Sequence, residues 1–498
     1  MVFSSIIFLF FFLPLTLAVY HLLFLPVSAG HRSATVWRHL ANFFLLAVSL
    51  LFYFWGEAWL IWIMIVSMMI DYLSALLISG AFHKGRIEQL EEGGPRTRLQ
   101  RAGIVLSLSA NLALLGFFKY FNFGVDSLNA VLPEAWRLTD VMRVTLPLGI
   151  SFYTFQSMSY TIDVYRGHVK ATRNLIDFAC YVTLFPQLVA GPIVRYCDVA
   201  YQMMHRTMSR AMFVSGISRF TTGLAKKVLI ANTVAKACEG IFQLPPEQMT
   251  APLAWIGMIC YSLQIYYDFS GYSDMAIGLG RMFGFEFLEN FNYPYVARSI
   301  QDFWRRWHIS LSTWFRDYLY IPLGGSRKSN KRTYLNLIIV FFLCGLWHGA
   351  NWAFVIWGLY HGFFLVIERM GLDKLLKRLP VALQHFYTLL VVMTGWLLFA
   401  TESFAKSANL FRSLWGFAPS KAPLYVEGYF SRDIQLALLA GIILSLPTWP
   451  ALKTFCHRHP AGIAGWSLLR PAGILILLLL CCMFLASGTH NPFIYFRF

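Results

Sequence analysis

Apolar residues in this chain come in long uninterrupted runs, not in the alternation of a half-buried strand. Stretches without a single Lys, Arg, Asp or Glu cover 1–31, 39–56, 102–118, 144–162, 178–194, 251–267, 333–367, 379–401, 434–452 and 471–496. A helix needs about 20 predominantly apolar residues to cross the hydrocarbon core, and several runs reach that length. The pattern predicts an all-α, polytopic integral membrane protein. In the opening run, MVFSSIIFLFFFLPLTLAVYHLLFLP, no basic residue precedes the apolar core, the first cation being Arg32. It reads as a retained spanning helix, not as a signal peptide.

The polar segments between the runs set an orientation. HRSATVWRH (31–39), HKGRIEQLEEGGPRTRLQR (83–101), YRGHVKATR (165–173), GGSRKSNKR (324–332), ERMGLDKLLKR (368–378) and residues 453–459 are basic. The alternate loops NFGVDSLNAVLPEAW (122–136) and CEGIFQLPPEQMT (238–250) are poor in cations. Placing the basic set in the cytoplasm predicts about 11–12 spans, with both termini outside. FACYVTLFPQLVAGPIVRY (178–196) breaks the alternation: cations flank it and its centre is rich in Pro and Gly. That suits a re-entrant segment. With no repeats or linkers, the expected organisation is one integral membrane domain over 1–498.

One polar stretch has helical periodicity of its own. Within YVARSIQDFWRRWHISLSTWFRDYLYIPLGG (295–325), about 100° per residue gathers Ile300, Trp304, Trp307, Leu311, Phe315 and Tyr318 on one side. Arg298, Asp302, Arg305, Arg306, Thr313, Arg316 and Asp317 fall on the other. This predicts an amphipathic helix lying at the cytoplasmic interface, with His308 on the apolar side.

Composition agrees with the pattern: 57% of residues are apolar and 13% charged, against about 25% charged in soluble domains. The net charge of +17 sits in short loops, so it reads as membrane orientation and not as a nucleic-acid surface. The eight cysteines are scattered, several within apolar runs, such as Cys180, Cys260, Cys344, Cys481 and Cys482. They read as small buried hydrophobes, with neither a disulfide framework nor a metal site.

Candidate chemistry lies where polar groups interrupt apolar segments. Residues 333–367 are long enough for two short helices with a break at HGAN, where Gly349 and Ala350 suit a tight bend. His348 then lies at the bend, where irregular backbone at membrane depth implies surrounding protein or a wet cavity. A neutral imidazole there can remove a proton from an attacking hydroxyl, or it can serve only as a hydrogen-bonded structural group. His361, further along the same segment, reads as packing. YSLQIYYDFSGYSDMAIGLGRMFGF (261–285) places Asp268, Ser270, Tyr272 and Asp274 in an apolar helix, as a packing seam or as the lining of a site. Gly271, Gly278 and Gly284 permit close helix approach. Arg219, Lys226 and Lys227, in RFTTGLAKKVLIAN, are equally out of place in lipid and read as ion-pair partners of those carboxylates or as contacts to a phosphorylated ligand. No P-loop, GxSxG or HExxH occurs, so the usual anchors of ATP-driven transport, serine hydrolysis and zinc proteolysis are missing. A passive transporter that uses Asp71, Lys119 and Asp268 stays open at this level.

FWRRWHISLSTWFRDYLYIPLGG (303–325) followed by FFLCGLWHGANWAFVIWGLYHG (341–362) resembles the signature region of the membrane-bound O-acyltransferases. YYDFSGYSDMAIGLGRMFGFEFLENFNYPY (266–295), LPLGISFYTFQSMSYTIDVYRG (146–167), FPQLVAGPIVRY (185–196) and PFIYFRF (492–498) extend the likeness to nearly the whole chain. The likeness is to the branch that O-acetylates bacterial exopolysaccharides such as alginate; the lipoteichoic-acid D-alanyl transfer type is more distant.

The resemblance implies a helical fold around a central tunnel that contains histidine. It centres the site on 261–365, with His348 as the active-site histidine and His308 as a second position held by Asn or His in many members. Trp304, Trp307, Trp347 and Asn351, together with Asp268, Ser270, Tyr272 and Asp274, are implied as substrate-lining. It further implies an acetyl donor on the cytoplasmic side, acetyl-CoA, with no resident cofactor or metal. The acetyl group would cross a bacterial inner membrane to periplasmic acetyltransferase partners, for O-acetylation of alginate, cellulose or another cell-wall polymer.

Overall fold

The computed structural model describes residues 2–30, 32–82, 85–189, 191–417, 427–458 and 460–488, and the closing PFIYFRF lies outside them. Among the described residues the chain is helical with no strand. Six helical stretches are long and apolar enough to cross a membrane: Phe8–Ser28, Ala34–Ile78, Arg98–Val131, Trp352–Leu376, Val381–Thr401 and Leu469–Ala486. A seventh arises if Arg432–Ser445 and Thr448–Cys456, bent by 69°, make one broken span. The protein is an all-α, multi-pass membrane protein.

These six or seven differ from the 11–12 apolar segments read from sequence, for two reasons. Ala34–Ile78 is divided at Ala58, whose φ is +45°. Other runs fall outside that set: Ile150–Arg166 has only 17 residues and carries Asp163 and Arg166, and Ala251–Met282 carries Asp268, Asp274 and Arg281 besides its Tyr and Ser. Such helices bury their polar groups against neighbours instead of facing lipid. Elsewhere Phe11, Leu15 and Leu479 are more than half exposed, as lipid-facing residues must be.

The chain divides into two compact units, residues 1–219 with 276–288, and residues 220–275 with 289–498. The first contains α1 (Leu13–Ser28), α2 (Ala34–Glu57), α3 (Ile61–Ile78), α4 (Arg98–Leu115), α5 (Ile150–Arg166) and α6 (Leu175–Thr183). Buried polar side chains tie these helices together. Asp71 of α3 accepts hydrogen bonds from Ser107 (2.5 Å) and Asn111 (2.8 Å) of α4 and from Thr161 (3.3 Å) of α5. Asn42 of α2 donates to Asp177 of α6 at 2.7 Å. The segment expected to be re-entrant is nine-residue α6, a single turn at Phe185–Leu188, then irregular buried backbone. Nine residues rise only about 14 Å, too little to span.

The second unit carries the candidate site. Two further helices, α7 (Arg210–Ala225) and α8 (Ala251–Met282), run through both parts of the division. Within the second unit they meet backbone to backbone: a Cβ on Gly223 would come 2.5 Å from the Gly271 carbonyl oxygen. Lys227 then pairs with Asp268 at 2.5 Å and Lys226 with Asp274 at 2.7 Å. Both lysines lie in a π-helical turn, Lys226–Ala231, that continues α7.

The segment 295–325 is not one amphipathic helix. It forms α9 (Ile300–Arg306) and α10 (Ile309–Phe315), broken at Trp307 and His308. The partition of side chains survives in part: Ile300, Trp304, Trp307, Leu311 and Phe315 are buried and Arg298, Arg305 and Arg316 exposed, whereas Tyr318 on the first side and Asp302, Arg306, Thr313 and Asp317 on the second are half-buried. The break follows from His308, whose φ of +44° and ψ of +55° cannot continue a right-handed helix.

After this come α11 (Asn330–His348) and α12 (Trp352–Ile367), a helical hairpin that turns at Gly349–Asn351. Its arms touch through glycine: a Cβ on Gly358 would overlap the Phe341 carbonyl and crowd Gly345. Gly349 is obligatory at the bend because the Phe354 ring occupies the space a Cβ would need. The next helix, α13 (Val381–Thr401), packs on α12.

Candidate active site

His348 is the last residue of α11 and is 2% exposed; His308, between α9 and α10, is fully buried. Their ring centroids are 6.4 Å apart, about the span of two hydrogen bonds through one oxygen. The rings lie among aromatic side chains. Phe269 meets His308 edge-on at 4.6 Å, and Trp347 lies 6.0 Å from His308 and 5.0 Å from His348. Trp357 and Phe399 stand 4.9 and 5.5 Å from His348. Four elements supply these groups: α8, the α9–α10 break, the α11–α12 hairpin and α13.

Asn290 fixes the state of His308. The Ser310 backbone N–H donates to Asn290 Oδ1 at 3.1 Å, and a backbone N–H can only donate. That identifies the amide oxygen and leaves Nδ2 to donate to Ser273 at 3.1 Å. His308 Nδ1, 3.3 Å from the same oxygen, must therefore carry the proton. Nε2 is left with its lone pair, and it has no hydrogen-bond partner among the described residues. A left-handed backbone costs a non-glycine residue about 1–2 kcal/mol. The bonds from Ile309 N to Asn290 O (2.9 Å) and from Ser310 Oγ to Asn290 Oδ1 (2.9 Å) hold it in place.

Burial pushes the His308 imidazole down to about 3, so it is neutral near pH 7. A base that weak carries protons poorly when the ideal is near the working pH; its lone pair is suited to accepting a hydrogen bond. His348 stands at a helix C-terminus, where the backbone dipoles favour the positive charge that a base acquires.

The other sequence candidates divide. Trp347 belongs to the histidine cluster. Trp307 lies behind His308, packed on Trp396 at 5.0 Å and Phe291 at 5.1 Å. Trp304 sits beside His361 at 5.2 Å. Asp268 and Asp274 are held in their lysine pairs, and Ser270 and Tyr272 are buried on the same helix. Asn351 is the N-cap of α12, accepting from Ala353 N and donating to Glu402 O, both at 2.9 Å. Both of its side-chain ends are thereby engaged in closing the hairpin. Sequence reasoning missed Asn290, Phe269, Trp357 and Phe399. Asn290 reaches His308 through a non-helical loop, which no periodicity reports, and Trp357 reaches His348 only because the hairpin folds back.

A model of the membrane-bound O-acyltransferases matches residues 50–401. The chain belongs to the membrane-bound O-acyltransferase family. It is similar over its whole length to a probable alginate O-acetylase of Pseudomonas putida, 40% identical with all of both chains covered. A probable alginate O-acetylase of Pseudomonas aeruginosa is 45% identical over 84% of this chain and 75% of that one. A peptidoglycan O-acetyltransferase of Helicobacter pylori is 30% identical over all of this chain and 98% of its own length. The buried His308–His348 pair of this membrane-bound O-acyltransferase lies within the residues that the family model matches.

Proposed function

We propose that the protein is an inner-membrane O-acetyltransferase that passes acetyl groups from cytoplasmic acetyl-CoA toward O-acetylation of an exopolysaccharide, alginate. The observation that carries this reading is the buried His308–His348 pair, in a chain that aligns end to end with alginate O-acetylases. His348 removes the proton of the accepting group as it attacks the acetyl carbonyl. The neutral Nε2 of His308 accepts a hydrogen bond that orients one of the two reactants. The acceptor that reaches the pair is the polymer itself or a periplasmic acetyltransferase that carries the acetyl group on to it. The lower identity to the peptidoglycan enzyme, 30% against 40–45%, favours alginate.

The test is to express the chain in an alginate-producing bacterium that lacks its own acetylase and to measure ester acetate on the secreted polymer. General-base catalysis contributes about 10²–10⁴-fold, so His348→Ala is expected to reduce acetylation to background while the protein still inserts in the membrane. Normal acetylation by His348→Ala refutes the assignment of the base. Acetylated peptidoglycan with unmodified alginate refutes the choice of polymer.

A further inference from the structure

Beside the histidine pair lies a second group of buried nitrogens that the proposed mechanism does not use. Nδ1 and Nε2 of His361, Nε1 of Trp304 and Nε1 of Trp357 have no hydrogen-bond partner among the described residues. His361 and Trp357 are fully buried and Trp304 is 7% exposed. The three rings close a triangle: Trp304–His361 5.2 Å, Trp357–His361 5.1 Å and Trp304–Trp357 5.8 Å. Trp357 is shared with the site, its ring 4.9 Å from that of His348. Gly395 closes the far side, since a Cβ there would sit 2.7 Å from His361 Nε2.

A merely packed cluster would be better made of phenylalanine, because each unmatched buried donor or acceptor is destabilising. The chemistry of the cluster selects its guest. Two indoles can only donate, and a neutral imidazole adds one donor and one acceptor. The cluster offers three donors and one acceptor, so the complementary group is an oxygen that accepts more than it donates. The carbonyl oxygen of an acyl donor is such a group, and it becomes negative as the nucleophile adds to the carbon. With the base, the attacking oxygen and the carbonyl in contact, the developing oxyanion stands about 5 Å from the base nitrogen. An oxygen at that distance lies within reach of the ring neighbouring His348, that of Trp357.

We propose that Trp304, Trp357 and His361 form the acyl-oxygen pocket of the transfer, binding the carbonyl of the donor's acetyl group and stabilising its oxyanion. This rests on the acetyl-transfer reading above. As the acceptor oxygen bonds to the carbonyl carbon, its proton passes to His348 and the carbonyl π pair moves onto the oxygen held by the N–H donors. When that pair returns, the carbon–sulfur bond breaks, and His348 gives the proton to the departing thiolate.

The test uses membranes containing the full-length protein, supplied with labelled acetyl-CoA, with transferred label as the readout. Trp357→Phe and Trp304→Phe keep the ring and delete the N–H. Loss of one oxyanion donor lowers kcat by about 10²–10³-fold, so each variant is expected to lose kcat on that scale while KM for acetyl-CoA holds. His361→Gln, which keeps a donor and an acceptor, is expected to outperform His361→Phe. Melting curves in detergent run alongside, since a cluster that serves only packing makes His361→Phe the more stable and the more active of the two. The proposal is overturned if Trp357→Phe and Trp304→Phe both keep kcat within about threefold of the unaltered protein, or if His361→Phe matches His361→Gln. No label transfer by the unaltered protein overturns the acetyl-transfer reading itself, and the pocket with it.

Discussion

Asp268 is the candidate whose role a single experiment separates most cleanly. Its carboxylate is 1% exposed and Lys227, 2.5 Å away, is 3% exposed, so neither charge has water to replace its partner. Removing one member of such a pair leaves a buried charge without its counter-ion, at a cost of about 3–5 kcal/mol. At about 1.4 kcal/mol per tenfold, that is roughly two to three and a half decades in the folded ratio. Replacing both members with apolar residues of similar volume is often neutral. Lys227→Met and Asp268→Leu alone are therefore expected to melt far below the unaltered protein in detergent. The double variant Lys227→Met/Asp268→Leu is expected to return to within about 1 kcal/mol and to keep acetyl transfer. A double variant as unstable as the singles refutes the reasoning. One that is stable yet inactive moves Asp268 from the packing seam to the substrate.

Three further outcomes follow from the geometry. At His308 the usual preference for alanine over glycine inverts: His308→Gly is expected to be more stable than His308→Ala by about 1 kcal/mol, since only glycine adopts φ +44° freely, and equal melting temperatures count against the left-handed backbone. With its pKa pushed to about 3, His308 stays neutral between about pH 5 and 8. His308→Gln is thus expected to lower transfer without moving the acid limb of the pH–rate profile, and a moved limb contradicts the neutral assignment. In the hairpin, Gly358→Ala places a methyl group against the Phe341 carbonyl and Gly345. A loss of about 1–3 kcal/mol, the usual penalty for overpacking, should be visible as reduced yield of folded protein in size-exclusion profiles.

The sequence was most informative where one physical effect dominates. Runs without charge mark membrane helices because burying an unpaired charge in lipid is so costly, and the break at HGAN follows from Gly349, which the Phe354 ring requires. The periodicity of 295–325 separated the most buried side chains from the most exposed ones, yet missed the break at His308. That break is a matter of backbone dihedrals stabilised by a loop residue, Asn290, which hydropathy does not register. The ion pairs of Asp268 and Asp274 were legible as charges that need partners. Asn351, read as substrate-lining from its motif, is the N-cap of α12, a role that the motif does not announce. Trp357 and Phe399 were hidden because contacts between distant segments leave no local pattern.

The π-helical turn at Lys226–Ala231 has a consequence for how this sequence can vary. A π turn holds one residue more than the α turn it replaces, so everything beyond it is rotated relative to an unbroken helix. It lets adjacent lysines, Lys226 and Lys227, reach Asp274 and Asp268, six positions apart on one opposing helix. Most substitutions there would alter one contact and leave the rest aligned. Deleting a single residue would restore the regular helix and turn both lysines off their acids together, so this turn should accept changes of residue far more readily than changes of length.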